Sequence, residues 1–376
     1  MTVKFTRPSI NIREKLNELD RPSGAAGEAL LRAETPQEQF TLIGAGRRNL
    51  IINGCFRVTK RQIAATNAVD IHSSQTIVNN AYQIDRWKAD ISGVTGAARV
   101  ITVDDLGEYR SKKQAYHIVA SSSADGYMQM RQFIEMPVND FSHSGKTVTA
   151  SCWIRSNKRV RLRCEAAPYT GSNWDSLECH SGGGGWEKLT MTIPLKGTIG
   201  SLIFGVIMWG GNGANNGQTA AIKSGDYFTM AEYQVEYGTH PTPFEYRHYA
   251  EEVALCQRYF YLIAEKTTFA TEGAVNSSQM FGTLHKWNNT NTFVFLDLPT
   301  SMRIRPSLIK SAGSSDFTIK ANGYSVTGND FAIDGDSSGR HIRLNSALQH
   351  GSIGNGSSGW ARVEASNAWI GLSADY

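Results

Sequence analysis

Cys179 and His180 stand side by side, just ahead of a run of glycines, Gly182–Gly185, that ends at Trp186. A thiol next to an imidazole has the makings of a nucleophile and its base, and a glycine run can cradle a phosphate. Neither chemistry is completed by what surrounds it. Neighbouring residues on a strand point to opposite faces, so Cys179 and His180 do not form a dyad. No Lys-Ser or Lys-Thr follows the glycines and no helical pattern begins there, so the run reads as a hairpin loop. The paired acids are Asp104-Asp105 and Asp334-Gly335-Asp336. The second has the opening spacing of a calcium loop but not its terminal Glu, and turns account for both. GxSxG, HExxH, the P-loop and a strand-to-helix GxGxxG are absent. The expectation is a protein without catalytic residues, metal or cofactor.

Aromatic residues in polar loops are the better lead. Tyr169, Trp174, Trp186 and Trp209 fall in or beside Gly/Asn/Ser-rich stretches, and His285, Trp287, Asn288 and Asn289 form a second cluster. An exposed ring stacks on the apolar face of a sugar, while Asn, Asp and Arg bind its hydroxyls. Trp186 and Trp209 suit core positions at strand ends somewhat better. The candidate ligand-binding residues are Tyr169, Trp174, Trp209, His285, Trp287 and Asn288.

What must position them is a β-rich chain. Its 376 residues include 36 Gly but 10 Pro, and 19% are charged. That balance suits many short strands joined by turns. A formal charge of +4 gives no field that argues for nucleic acid. The five cysteines, Cys55, Cys152, Cys164, Cys179 and Cys256, contain no CxxC and are odd in number, so buried free thiols are expected. Met1–Pro8 has no signal-peptide core, and the oily stretch Leu202–Trp209 is far short of the ~20 residues of a membrane span. Synthesis in a reducing cytoplasm, without membrane insertion, is expected.

Three regions follow from the patterning. Residues 1–48 hold short helical stretches: Ile12–Leu19, with Asn11 as N-cap, Ala25–Ala33, and one opening at Thr35-Pro36. Their apolar residues Ile12, Leu16, Leu19, Leu30, Leu31 and Phe40 are too few to close a core, so this segment is expected to anchor on another chain or on copies of itself. Residues 49–247 read as strands. Thr147–Ile154 puts Val148, Ala150, Cys152 and Ile154 on one face, and Ser201–Met208 is apolar on both faces, as a central strand is. Strands at this spacing without helices between them imply an antiparallel β-sandwich of jelly-roll type. Residues 248–376 open with a helix over Tyr249–Phe260, its apolar face formed by Tyr249, Val253, Cys256 and Phe260. A smaller β domain follows, with strands expected at Met280–Leu284, Asn291–Leu298, Leu308–Lys310, Phe317–Lys320, Phe331–Ile333 and Ile342–Asn345.

Some phrases point further. Arg48-Asn49-Leu50-Ile51-Ile52-Asn53-Gly54-Cys55-Phe56, followed by Tyr82-Gln83-Ile84-Asp85-Arg86-Trp87, resembles the opening of a β-sandwich common in bacteriophage tail-fibre and appendage proteins. Tyr233–Gly238, Thr242–Arg247 and Glu251–Tyr259 look like the close of the same module, and Leu298–Arg303 is similar to a phrase of their small C-terminal domain. Jelly-roll carbohydrate-binding modules share the opening, and some hold a calcium near that edge. Cys55 stands where Asp or Asn is common, and a thiol is a poor calcium ligand. The resemblance, of marine phage type, implies a non-enzymatic protein of the virion surface. It implies a homotrimer, anchored through residues 1–48 to other phage tail or capsid proteins, with β domains turned toward a host cell-surface glycan. A capsid-surface head fibre or decoration protein, and a glycan-degrading tailspike, are the rivals. Within the phrases, Asn53-Gly54 suits positive φ, and Asp85-Arg86 beside Trp87 suits an ion pair stacked on a ring.

Overall fold

The computed structural model describes residues 48–61, 74–103, 113–135, 145–167, 173–195, 201–211, 220–265, 280–288, 291–348, 352–365 and 368–375. By its internal contacts the chain divides into Met1–Asn49 and Leu50–Tyr376, and every element below belongs to the second. The expected anchoring residues Ile12, Leu16, Leu19, Leu30, Leu31 and Phe40 lie outside the described residues, as do Tyr169, Asn289 and Asp104-Asp105.

The first strands are β1 (Gln75–Thr76), β2 (Tyr82–Ile84), β3 (Trp87–Ser92), β4 (Gly96–Val103), β5 (Lys113–Ala120) and β6 (Gly126–Ile134). They are followed by β7 (Thr147–Ser156), β8 (Val160–Ala167), β9 (Asn173–Asp175), β10 (Trp186–Pro194), β11 (Ser201–Gly210) and β12 (Tyr227–Tyr237). One six-stranded sheet runs β1-β4-β5-β12-β7-β10 and the other β2-β3-β6-β11-β8-β9. Neighbours pair antiparallel, and the two sheets close on one core, a jelly-roll sandwich.

Alternation explains the arrangement. In β7 the side chains of Val148, Ala150, Cys152 and Ile154 are all buried, on the face that the period of two assigns. β11 lies between β6 and β8, sends Leu202, Phe204, Val206 and Met208 into the core, and buries Ile203 and Ile207 on its other face. Each such side chain contributes roughly 1.5–3 kcal/mol on leaving water.

The phrases that carry the resemblance build the centre of this core. Phe56 lies 5.2 Å from Trp87 and 5.8 Å from Tyr116, and Trp87 lies 5.2 Å from Tyr233, ring to ring. Trp87 Nε1–H donates to the Asn53 carbonyl at 3.0 Å. Asn53 itself has φ 58°. Its Nδ2 donates to the carbonyls of Val58 (2.8 Å) and Asp85 (3.1 Å), and its Oδ1 accepts from Val58 N at 3.0 Å. Gly54 is there for space rather than for φ: a Cβ would stand 2.2 Å from the Tyr233 carbonyl oxygen. The Asp85-Arg86 ion pair expected from the sequence does not form. Asp85 Oδ2 accepts from Arg61 N at 2.8 Å. Arg86, at φ 72°, turns the other way, donates to the Phe133 carbonyl and stacks on Tyr259 rather than Trp87, 3.4 Å from the ring centroid.

Beyond the sandwich come α1 (Tyr249–Gln257), β13 (Phe260–Glu265), β14 (Met280–Lys286), β15 (Thr292–Asp297), β16 (Ser307–Lys310) and β17 (Phe317–Ala321). Then follow β18 (Tyr324–Gly328), β19 (Ala332–Ile333), β20 (His341–Ser346), β21 (Ser358–Val363) and β22 (Trp369–Ser373). The expected helix is present but ends at Gln257, and Phe260 opens β13. Its buried residues are Glu252 and Cys256, while Tyr249 is exposed. Glu252 goes inward because its carboxylate accepts the Asn53 backbone N–H and pairs with Arg247 at 3.3 Å. A three-stranded sheet, β13-β22-β16, and a seven-stranded sheet, β18-β17-β21-β14-β15-β20-β19, share a second core around Leu284, Val294, Phe317, Leu344, Ile370 and Leu372. The two cores meet at a polar joint. There Arg61 pairs with Asp375, Arg258 with Glu135 at 2.6 Å, and Tyr259 O–H donates to Glu135 at 2.6 Å.

All five cysteines are free thiols. Cys55, Cys152, Cys164 and Cys256 are buried and Cys179 is partly exposed. Among the described residues no helix is long and apolar enough to cross a membrane, and no group of His, Cys, Asp and Glu could hold a metal ion.

Candidate functional site

The glycine-rich stretch between Cys179 and Trp186 is a stapled loop. His180 is fully buried; its Nε2 donates to the Gly185 carbonyl at 2.9 Å and its Nδ1 accepts from Gly182 N at 2.9 Å. Both ring nitrogens are therefore spent on the loop backbone. Ser181 N–H adds a bond to the Glu187 carboxylate at 2.9 Å. The Cys179 sulfur faces the other way, 2.9 Å from Arg159 Nη2. No nucleophile–base pair exists here.

The aromatic candidates of the sandwich are dispersed. Trp209 lies on the outer face of its sheet, 5.2 Å from Tyr127 and beneath the Arg163 guanidinium at 5.3 Å. Trp174 pairs with the core residue Cys164, so it is turned to the opposite face, at the sheet edge. Trp186 is packed against the small cluster of Val103, Ala115 and Ala231. These tryptophans do not form one site.

The seven-stranded sheet is different. Its inner face carries Leu284, Val294 and Leu344 into the core. Period two then turns Thr283, His285, Phe293, Phe295, Arg343 and Trp360 outward. Register lines them up in cross-strand rows. Lys320, Trp360, Thr283, Phe295 and Arg343 are successive partners from β17 to β20, and Ser358, His285, Phe293 and Asn345 make the next row. Phe295 is 51% exposed and Trp287, just past β14, is 64% exposed. A sheet face with large bare rings is a surface made to be covered by something.

The centre of this face is a depression of about 340 Å³ lined by His285, Trp287, Phe293, Phe295 and Arg343. The Arg343 guanidinium lies over the Phe293 ring at 4.6 Å. Trp287 and Phe295 supply the two uncovered rings. A tight turn fixes Trp287: its N–H donates to the Asn291 carbonyl at 3.1 Å, and Asn291 N–H donates to Asn288 Oδ1 at 2.8 Å. Phe295 also borders a second hollow of about 500 Å³, which it shares with Met280, Thr283 and Trp360.

Of the residues singled out in the sequence, His285 and Trp287 therefore meet in one depression. Asn288 holds the turn behind them. Phe293, Phe295, Trp360 and Arg343 were not among the candidates. Thr292–Asp297 reads TFVFLD, apolar on both faces, and so looks like a buried strand. What exposes two of its phenylalanines is that no second sheet covers that face among the described residues. The chemistry available is apolar stacking at a pocket of sugar size, with one guanidinium and one imidazole at its side; among the described residues no carboxylate lines it.

No protein-family model and no curated protein matches the chain. Among solved structures it is similar to TmCBM61 in complex with β-1,4-galactotriose, at 12% identity over 51% of this chain and 100% of that one, TM-score 0.31. It is also similar to the enzymatically active domain of tailspike protein 4 of bacteriophage CBA120, at 8% identity over 50% of this chain, TM-score 0.31. The chain spans only 21% of that protein's length. A third likeness is to the C-terminal family 22 carbohydrate-binding module of Clostridium thermocellum Xyn10B, at 13% identity over 42% of this chain and 89% of that one, TM-score 0.27. The fold rests on the strand pairing and burial given above.

Proposed function

We propose that this chain is a non-enzymatic structural protein of a bacteriophage particle, a tail fibre or similar appendage, whose C-terminal β domain recognises a glycan of the host surface. The observation that carries the recognition is the depression between Trp287 and Phe295, two bare rings over an apolar floor with Arg343 alongside. Rings so placed bury the apolar face of a sugar, and no carboxylate is among the described residues that line the depression. The phage half rests on the phrases Arg48–Phe56, Tyr82–Trp87 and Thr242–Arg247. In this reading residues 1–48 anchor a homotrimer to the particle, and the sandwich is its scaffold.

Full-length protein on host cells with and without surface polysaccharide tests the recognition. Binding that needs the polysaccharide, and that falls in Trp287→Ala and Phe295→Ala, is expected; equal binding to both cell types overturns it. A chain lacking residues 1–46 should fold and fail to enter particles, and normal incorporation removes the anchoring role. A stable monomer at micromolar concentration removes the trimer.

A further inference from the structure

The paired acids Asp334-Gly335-Asp336 have no place in the stacking site itself, yet the fold brings them to it. Both carboxylates are bonded to Nη2 of Arg343, the residue that flanks the depression: Asp334 through Oδ1 and Asp336 through Oδ2. The turn is also tied to the Arg343 backbone. Asp334 N–H donates to the Arg343 carbonyl at 2.8 Å, Arg343 N–H donates to Ser337 Oγ at 2.9 Å, and that hydroxyl donates back to the Arg343 carbonyl at 3.0 Å. Asp336 N–H donates to Asp334 Oδ1 at 3.1 Å. The spacing that resembles the opening of a calcium loop therefore holds the Arg343 guanidinium. A cation is present already, and it is the protein's own.

This fixes the charge of the depression. Among the described residues Arg343 is its one permanently charged lining residue, and two carboxylates stand against it. Burial would raise Asp334, but the Asp336 N–H and the Arg343 guanidinium outweigh burial and hold its carboxyl below the ordinary value, so it is ionised at neutral pH. A bare guanidinium beside an aromatic floor would be a bidentate receptor for a uronate or a sulfate. With two carboxylates on its Nη2 and its Nε buried, the guanidinium keeps Nη1 as its donor toward hydroxyls and offers no net positive field. A polyanion approaching it meets like charge, which penalises the wrong partner.

We propose that Asp334 and Asp336 set the charge specificity of this site, so that it accepts neutral hexose rings and rejects uronic-acid and sulfated glycans. The inference rests on the glycan reading above and adds the ligand's charge class. The probe is a glycan array carrying neutral, uronate-bearing and sulfated sugars, read with the full-length protein at low salt. Native protein should bind neutral spots and pass over acidic ones. Asp336→Asn, at a position 77% exposed, and the double variant with Asp334→Asn keep an oxygen acceptor for the guanidinium while removing charge. They should gain about fivefold on acidic spots, a gain that shrinks with added salt. Arg343→Gln in the double-variant background should abolish it. Native binding to acidic spots as strong as to neutral ones overturns the proposal alone, as does an unchanged acidic signal in both Asp variants. Native protein that binds no spot overturns the glycan reading, and this proposal falls with it.

Discussion

Asn53→Ala offers the sharpest test of how the sandwich is held. The side chain makes three hydrogen bonds inside the protein, to Val58 O, from Val58 N and to Asp85 O. Alanine leaves the buried Val58 N–H without its acceptor, at a cost of about 1–3 kcal/mol, and weakens the satisfaction of two carbonyls by roughly 0.5–1 kcal/mol each. It also places a Cβ residue without Asn's tolerance at φ 58°, for about 1 kcal/mol more. The expected loss is about 3–6 kcal/mol, a large share of the ~5–15 kcal/mol that stabilises ordinary proteins. Asn53→Gly loses the same hydrogen bonds but not the backbone allowance, so it should be milder by about 1 kcal/mol. Equilibrium urea unfolding followed by tryptophan fluorescence measures both, since the Trp87 indole donates to the Asn53 carbonyl. A loss below about 1 kcal/mol in the alanine variant, or a glycine variant worse than alanine, would mean that these bonds do not hold the sandwich.

Three further outcomes are expected. Burial pushes the Asp85 carboxyl up to about 6, against the pull of the Arg61 N–H and guanidinium. An acid raised in the folded state favours folding while protonated. Its contribution is thus complete below its unfolded value of ~3.9 and lost as pH rises through about 6. Asp85→Asn should therefore gain stability relative to the parent between pH 4 and pH 7, and parallel stability–pH curves would contradict this. Gly54→Ala drives a Cβ to 2.2 Å from a backbone oxygen and should destabilise by about 1–3 kcal/mol in a thermal shift assay; an unchanged midpoint would mean the two segments part without cost. Trp174→Ala, on the face of its sheet opposite Trp209, should leave glycan binding unchanged, and a loss comparable to that of Trp287→Ala would move the site to the sandwich.

Strand alternation made the sandwich legible. β7 and β11 bury the residues their patterns assign, because a period of two has one solution once a face is apolar. The helix Tyr249–Gln257 was legible as a helix but not in its phase. Its wheel favours Val253, whereas the structure buries Glu252, drawn in by an amide N–H 199 positions away in the chain. β13, β21 and β22 were not anticipated, since each is short and mixed and becomes a strand only through its partners. The same holds for the candidate site. His285 and Trp287 could be picked from a polar, aromatic loop. That Phe295 lies opposite Arg343, and that Asp334 and Asp336 close on that arginine, are facts of register and turn position that no local pattern contains.

The proposed function seats a glycan on the rings of Trp287 and Phe295. Its most direct measurement is the affinity of the full-length protein for host surface polysaccharide, in native form and with each ring replaced by alanine. Both residues are largely exposed, so both variants should unfold at the native midpoint. Each should bind about tenfold more weakly, the equivalent of ~1.4 kcal/mol. Native affinity in both folded variants would contradict the claim.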